Sequence, residues 1–297
     1  MDIDVHDAAM REIFEPNPSL TRIVSGLEFG EGPVWDKRQK CLYFVDNIGS
    51  KLCKWTPGIG LETIVSPTGH ANGATMDRQG RVVVAGWSSR TVWRLERDGS
   101  QQTLASHFEG QKLNTPNDVV IRSDGSTYFT DSDGGLFIPA MDGEDLQRYL
   151  EFSGVHRISA DGKDIQLVVR DLSFPNGLAF SPDESLLYVS DTWQKDIWVY
   201  DVQRDGSVRN GRQFHKLFGK EPGHADGLKV DRRGNVYSTG PLGIHVISPQ
   251  GKLLGRLKIP EECTNMAWGD DDWQTFFITT FHGVYRTRAL IPGIEVW

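Results

Sequence analysis

The sequence predicts an all-β fold, a six-bladed β-propeller built from four-stranded blades. Three observations carry that expectation. Six segments share one pattern, a small polar anchor, a short apolar stretch, a turn and a β-rich run, with anchors at Glu31, Asn72, Asn117, Asn176, Asp226 and Asn265. The anchors are 41, 45, 59, 50 and 39 residues apart, each about the length of one four-stranded blade. Turn pairs recur at matching places in the repeats, and helical periodicity is nearly absent.

In chain order, residues 1–19 form an N-terminal extension, in which Val5 to Phe14 is expected to be a short helix decorating the surface. Leu20 to Gly26 precedes the first anchor and reads as a strand. Each repeat then gives a first strand such as Leu178 to Phe180, a turn such as Pro182-Asp183, and a second strand such as Leu186 to Ser190. Third strands follow, such as Asp196 to Tyr200 or Thr91 to Leu95, and then Asp-Gly hairpins at Asp98-Gly99, Asp161-Gly162 and Asp205-Gly206. Repeat three carries an insertion, helical or irregular, over Asp142 to Phe152. The last repeat runs out of chain after its third strand, Gly283 to Arg288, so Leu20 to Gly26 is expected to complete blade six and close the ring. The whole chain, 1–297, is then one propeller domain.

Composition bounds the function. With 32 Lys and Arg against 40 Asp and Glu the formal charge is −8, the wrong sign for nonspecific nucleic-acid or anionic-membrane binding. Cys41, Cys53 and Cys263 have no metal-type spacing and read as reduced core residues. No basic-then-apolar leader and no long apolar run is visible, so a cytoplasmic location without a membrane partner is expected. Oligomeric state leaves no mark in the sequence.

First strands of a propeller lie beside the axis, so all six anchors should face one axial mouth. The ends of the second strands face the same mouth, among them Trp87, Asp131, Asp191 and His282, and the loops into the anchors add His70, Thr115, Phe174 and His224. Two carboxylates among four carboxamides in a poorly hydrated channel would repel unless protonated or bound to a cation. Oxygen-only donors suit a hard divalent ion, Ca2+, Mg2+ or Mn2+. Against this, Asn-Gly and Asp-Gly are ordinary turn pairs, and other propellers repeat polar residues without a metal.

These stretches are similar to a known family. From about Leu27 to Arg288 the chain resembles the senescence marker protein/gluconolactonase/luciferin-regenerating enzyme family, through FGEGPVWD at 29–36, LNTPNDVV at 113–120, SDGSTYFTD at 123–131, FPNGLAFSPD at 174–183, YVSDT at 188–192 and HADGLKVDRRGNVY at 224–237. The resemblance implies a catalytic divalent cation, usually Ca2+ with Zn2+, Mn2+ or Mg2+ as alternatives, on Glu31, Asn117, Asn176 and Asp226. It also implies a sugar lactone as substrate. Thr115 stands where animal members carry a substrate-contacting Arg, as in the bacterial gluconolactonase-like branch, so the identity of the sugar stays open.

The expected chemistry is hydrolysis of an aldonolactone to the aldonic acid, with the cation as Lewis acid on the carbonyl and Asp226 as general base to water. Asp131, Asp191 and His282 are reserve bases. Substrate contacts are expected from Asn72, Trp87, Thr115, Asp131, Asp191 and His282, although an Asp at a strand end commonly binds loop amides and Trp in a propeller mostly packs between blades. An esterase or phosphotriesterase on the same scaffold and a noncatalytic interaction propeller are the two other readings.

Overall fold

Six antiparallel four-stranded sheets arranged around an axis account for most of the chain in the computed structural model, which describes residues 1–296. Each sheet is a meander with its first strand innermost. Blade one is Gly30–Asp36, Cys41–Asp46, Lys51–Thr56 and Gly60–Val65; blade four is Pro175–Phe180, Leu186–Asp191, Asp196–Val202 and Val208–Lys216. The innermost strand of blade one is buried at every residue, whereas its outermost, Gly60–Val65, is largely exposed. That gradient explains why the inner strands read as continuous apolar and small-residue runs.

The ring closes as the sequence predicts. Thr21–Ser25 pairs with Gly283–Arg288, Thr21 opposite Arg286 and Ser25 opposite Gly283, so blade six combines strands from both ends of the chain. Blades interlock through apolar contacts such as Trp35 of blade one stacked on Phe277 of blade six, with centroids 5.4 Å apart.

The N-terminal extension departs from expectation. Asp2–Val5 is a strand, not part of a helix, and only Ala8–Glu12 forms a 3-10 turn. The strand adds a fifth member to blade five against Leu253–Lys258. Alternating acids make the pairing specific: Asp2 meets Lys258 at 2.7 Å, Asp4 pairs with Arg256 and Asp7 pairs with Lys252. Met10, Ile13 and Phe14 then enter the largest apolar cluster, where the Phe14 ring lies edge-on to Tyr237 and Phe276. The extension is thus part of the core rather than surface decoration. The insertion between the second and third strands of blade three is irregular apart from a 3-10 turn at Gly134–Leu136. Among the described residues no helix is long and apolar enough to cross a membrane.

Candidate functional site

The inner strands carry a register shift at nearly every anchor. Pairing skips between Glu31 and Val34, Ala71 and Ala74, Pro116 and Val119, Pro175 and Leu178, and Cys263 and Asn265. A bulge re-aims the side chain at the skipped position, so Asn72, Asn117 and Asn176 leave the pleat, whereas Glu31, still paired with Val45, is the last residue before its bulge. In blade five the inner strand, Leu228–Val230, begins after Asp226-Gly227. The glycines after the anchors are steric necessities: a Cβ on Gly73 would overlap Asp118 Oδ1, and one on Gly227 would overlap the Asn265 carboxamide.

Hydrogen bonds tie the anchors to one another in pairs and to the neighbouring strand ends. Asn47 Nδ2 donates to Asn72 Oδ1 (3.0 Å), and Asn72 Nδ2 donates to Asn117 Oδ1 (3.1 Å). Asn265 Nδ2 donates to Glu31 Oε2 (3.0 Å), and Asn176 Nδ2 donates to Thr192 Oγ1 (3.0 Å). Hydroxyls on the second strands hold the next blade's anchor backbone: Thr130 Oγ1 donates to Asn176 O (2.8 Å) and Ser190 Oγ to Asp226 O (2.6 Å).

The electrostatics centre on three carboxylates. Glu31 is buried, and that burial, with the nearby Asp118 charge, pushes its carboxyl up to about 8, against the Gly32 N–H, Asn265 and Lys229. Asp226 is half-buried at the mouth and also raised well above the carboxylate range, by desolvation first and then by Glu31 and Asp118. Glu31 and Asp226 therefore lie close enough to repel each other. Asp118 and Lys229 were not singled out from the sequence. A signal existed for Asp118: it occupies the position after an anchor where four other repeats have Gly.

The rim residues are used in several ways. Asp131 Oδ2 accepts from Asn114 N (2.9 Å), Asp191 from Ser173 N (2.7 Å) and Phe174 N (3.2 Å), and Asp46 from Glu28 N and Phe29 N. These three aspartates make the same clamp on the loop entering the inner strand. Burial raises Asp131 to about 7. Thr115 is buried, donating to Ser132 O (2.8 Å) and accepting from Gly135 N (3.3 Å). Trp87 packs against Phe174 with centroids 6.3 Å apart and lies beneath Gly134 and Gly135. His282 is exposed, its Nδ1 3.2 Å from Leu27 O, whereas His70 Nδ1 lies 2.9 Å from Asn47 O. His224 binds Glu262 at 2.6 Å, which raises its pKa. Trp193, missed in the sequence, is 51% exposed, stacked on Phe137 and edge-on to Phe174.

Two observations fit the anchors to a cation. Glu31 Oε1 is buried without any hydrogen-bond partner, a costly state for a carboxylate oxygen. Asn117 Oδ1 has a second lone pair beyond its bond from Asn72. Among the described residues no three His, Cys, Asp or Glu side chains are grouped to hold a metal, so any ion here would need carboxamide oxygens beside Glu31 and Asp226.

Residues 29–282 match the family described as SMP-30/Gluconolactonase/LRE-like region. The chain belongs to that family. Within it, the chain is 32% identical to a gluconolactonase of Zymomonas mobilis, over 95% of this chain and 84% of the relative. It is 27% identical to a pentonolactonase of Haloferax volcanii, over 89% of this chain and 86% of the relative. A solved gluconolactonase of Xanthomonas campestris superposes with a TM-score of 0.90 at 30% identity, covering 97% of this chain and 95% of that one.

Proposed function

We propose that this member of the family is a divalent-metal-dependent lactonase that opens a sugar lactone to the aldonic acid. The observation that carries the reading is the pair of mutually repelling carboxylates, Glu31 and Asp226, at one mouth, with Glu31 Oε1 left without a partner. The gluconolactonase and pentonolactonase relatives support the substrate class. A divalent ion, with Ca2+ as first choice and Zn2+, Mn2+ or Mg2+ as alternatives, would be held by Glu31, Asn117, Asn176 and Asp226 and would supply Lewis-acid polarisation of the lactone carbonyl.

The chain's own groups account for the remaining chemistry. Asp226 is the group that takes the proton from water: it opens to the mouth, and burial first, then Glu31 and Asp118, raise its basicity. As water oxygen bonds to the acyl carbon, the ester C–O bond breaks and the ring oxygen leaves with a proton as a hydroxyl. Asn72, itself fixed by Asn47, holds the Asn117 carboxamide in one orientation. Asp131 and Asp191 serve the reaction by fixing the loops of the mouth. Trp87 and Thr115 lie under the insertion, leaving Trp193 and His282 as the exposed groups a sugar ring can touch.

The test is a substrate panel of 1,4- and 1,5-aldonolactones, aryl esters and phosphotriesters, assayed after EDTA treatment and after return of each metal. Lactone turnover lost with EDTA and restored by one divalent ion is expected. Preference for an aryl ester or phosphotriester over every lactone would replace the reading with an esterase. Full activity in EDTA would remove the metal from it.

A further inference from the structure

Lys229 has no place in the reaction just described, and Asp118 enters it only through its charge on Asp226, yet both occupy its axis. Lys229 lies on the inner strand of blade five, three residues beyond Asp226. Its Nζ is 3.5 Å from Asp118 Oδ2 of blade three, 3.1 Å from Asn265 Oδ1 of blade six and 3.1 Å from Leu228 O. One ammonium group thus joins three blades across the channel. Asp118 is almost wholly enclosed, with a side-chain exposure of 2%, and its other oxygen accepts from Val119 N at 2.8 Å. Lys229 helps fix the orientation of Asn265: with Oδ1 accepting from both Lys229 and Met266 N, its Nδ2 faces Glu31 Oε2.

The charges in this channel decide what Lys229 does. Glu31, Asp118 and Asp226 supply three negative charges, and an ion bound to the anchors would supply two positive ones. Lys229 is the remaining unit of positive charge. Beyond Lys229 the channel widens into a cavity of about 400 Å3 at the opposite end, with apolar walls including Val34, Ala74, Leu178 and Ala267, of whose lining Lys229 is the one cation. Asp118, enclosed at 2% side-chain exposure, would without Lys229 be a buried carboxylate lacking a counter-charge, a costly state.

We propose that Lys229 is a positioning residue, a built-in counter-ion to Asp118 that leaves the axis with two unbalanced negative charges and so matches it to one divalent ion. The part concerning the ion rests on the function proposed above, whereas the ion pair stands on its own geometry. The pair also forms the floor of the site, separating its polar mouth from the apolar half of the channel.

The experiment compares the full chain with Asp118→Asn, Lys229→Gln and the double variant D118N/K229Q. Each is measured metal-free by thermal unfolding and then titrated with CaCl2 by calorimetry. Both single variants should melt lower than the wild type, and the double variant should recover at least half of their combined loss. Asp118→Asn, with an excess cation beside the site, should bind Ca2+ about tenfold more weakly. Lys229→Gln should bind it at least as tightly as the wild type, and the double variant within about threefold, with one ion per chain. Loss of packing alone would weaken binding in Lys229→Gln and would not be repaired by the second substitution. Additive melting losses, or unchanged Ca2+ affinity in Asp118→Asn, overturn the proposal. A single variant that fails to fold while the double variant folds supports the pair; failure of all three overturns it. If the wild type binds no divalent ion, the proposed function falls, and the melting comparison still decides the pair.

Discussion

Replacing Glu31 by Gln should stabilise the metal-free protein at alkaline pH while abolishing its response to metal. Glu31 is 1% exposed and its carboxyl is raised from 4.5 to about 8, mainly by burial and then by Asp118. Because the folded-state value lies above the unfolded one, the protonated group favours the native state fully below pH 4.5, and that contribution is lost as pH rises through about 8. At about 1.4 kcal/mol per pH unit the loss approaches 5 kcal/mol as an upper bound. Gln carries no charge and keeps an acceptor for Gly32 N and Asn265 Nδ2, so about 2–4 kcal/mol of the difference should be recovered in metal-free Glu31→Gln at pH 9. For a chain of this length that corresponds to roughly 3–6 °C in melting temperature. Calcium at about a hundredfold its Kd should raise the wild type by a further ~4 °C through linkage and leave the variant unmoved. The assay is thermal unfolding at pH 5, 7 and 9 with EDTA or CaCl2. A metal-free variant melting below the wild type at pH 9, or equal calcium shifts in both proteins, would refute the reasoning.

Other consequences are as direct. Asp226→Asn should lower kcat by at least ~100-fold in a lactone assay without lowering the metal-free melting temperature, since it removes a base and a strained charge together; retention of a tenth of the rate would sink the assignment. Asp191→Asn should cost about 1–3 kcal/mol in urea unfolding by weakening the bonds to Ser173 and Phe174, with KM and kcat changed less than stability; a pure kcat loss would make Asp191 a catalytic group instead. Phe14→Ala should cost about 3–5 kcal/mol, because the ring is 1% exposed between Tyr237 and Phe276; a loss under 1 kcal/mol would return the extension to the surface. Gly135→Ala would drive a methyl group into Trp87 and to 2.7 Å from Thr115 Cγ2, so KM should rise several-fold while the calcium-induced melting shift stays unchanged; an unchanged KM would separate the insertion from the substrate.

The ring was legible because its determinants are local. A polar anchor and a turn recur in each blade, and an Asp-Gly hairpin in three of them, and each constrains the backbone without help from distant residues. Closure by Thr21–Ser25 followed from counting strands, since blade six lacked one. The N-terminal strand was less visible. In DIDVHD the alternation of acids with Ile3 and Val5 is a strand pattern, but it acquires meaning only beside Lys258, Arg256 and Lys252, some 250 residues away. Pairing of that kind depends on a partner the local sequence does not reveal.

The site divides along the same line. The six anchors could be found because turn chemistry marks the places where inner strands begin, and it was the resemblance to the family that singled out Glu31, Asn117, Asn176 and Asp226 among them. What turns Asn117 and Asn176 inward is the bulge at each, with Glu31 at the edge of another, and a bulge depends on the register of two strands rather than on the residues of one. Asp118 shows the limit. In sequence it is one more Asp after an Asn, and a turn former by default. In the fold, the bulge at Pro116 to Val119 and the bare backbone of Gly73 bring it into the axis beside Lys229. The anchors are thus local in origin, whereas the charge around them is set by pairs of residues 111 positions apart, as Asp118 and Lys229 are. Under the proposed function, two chains sharing Glu31, Asn117, Asn176 and Asp226 would therefore differ in their affinity for the ion through these two positions alone.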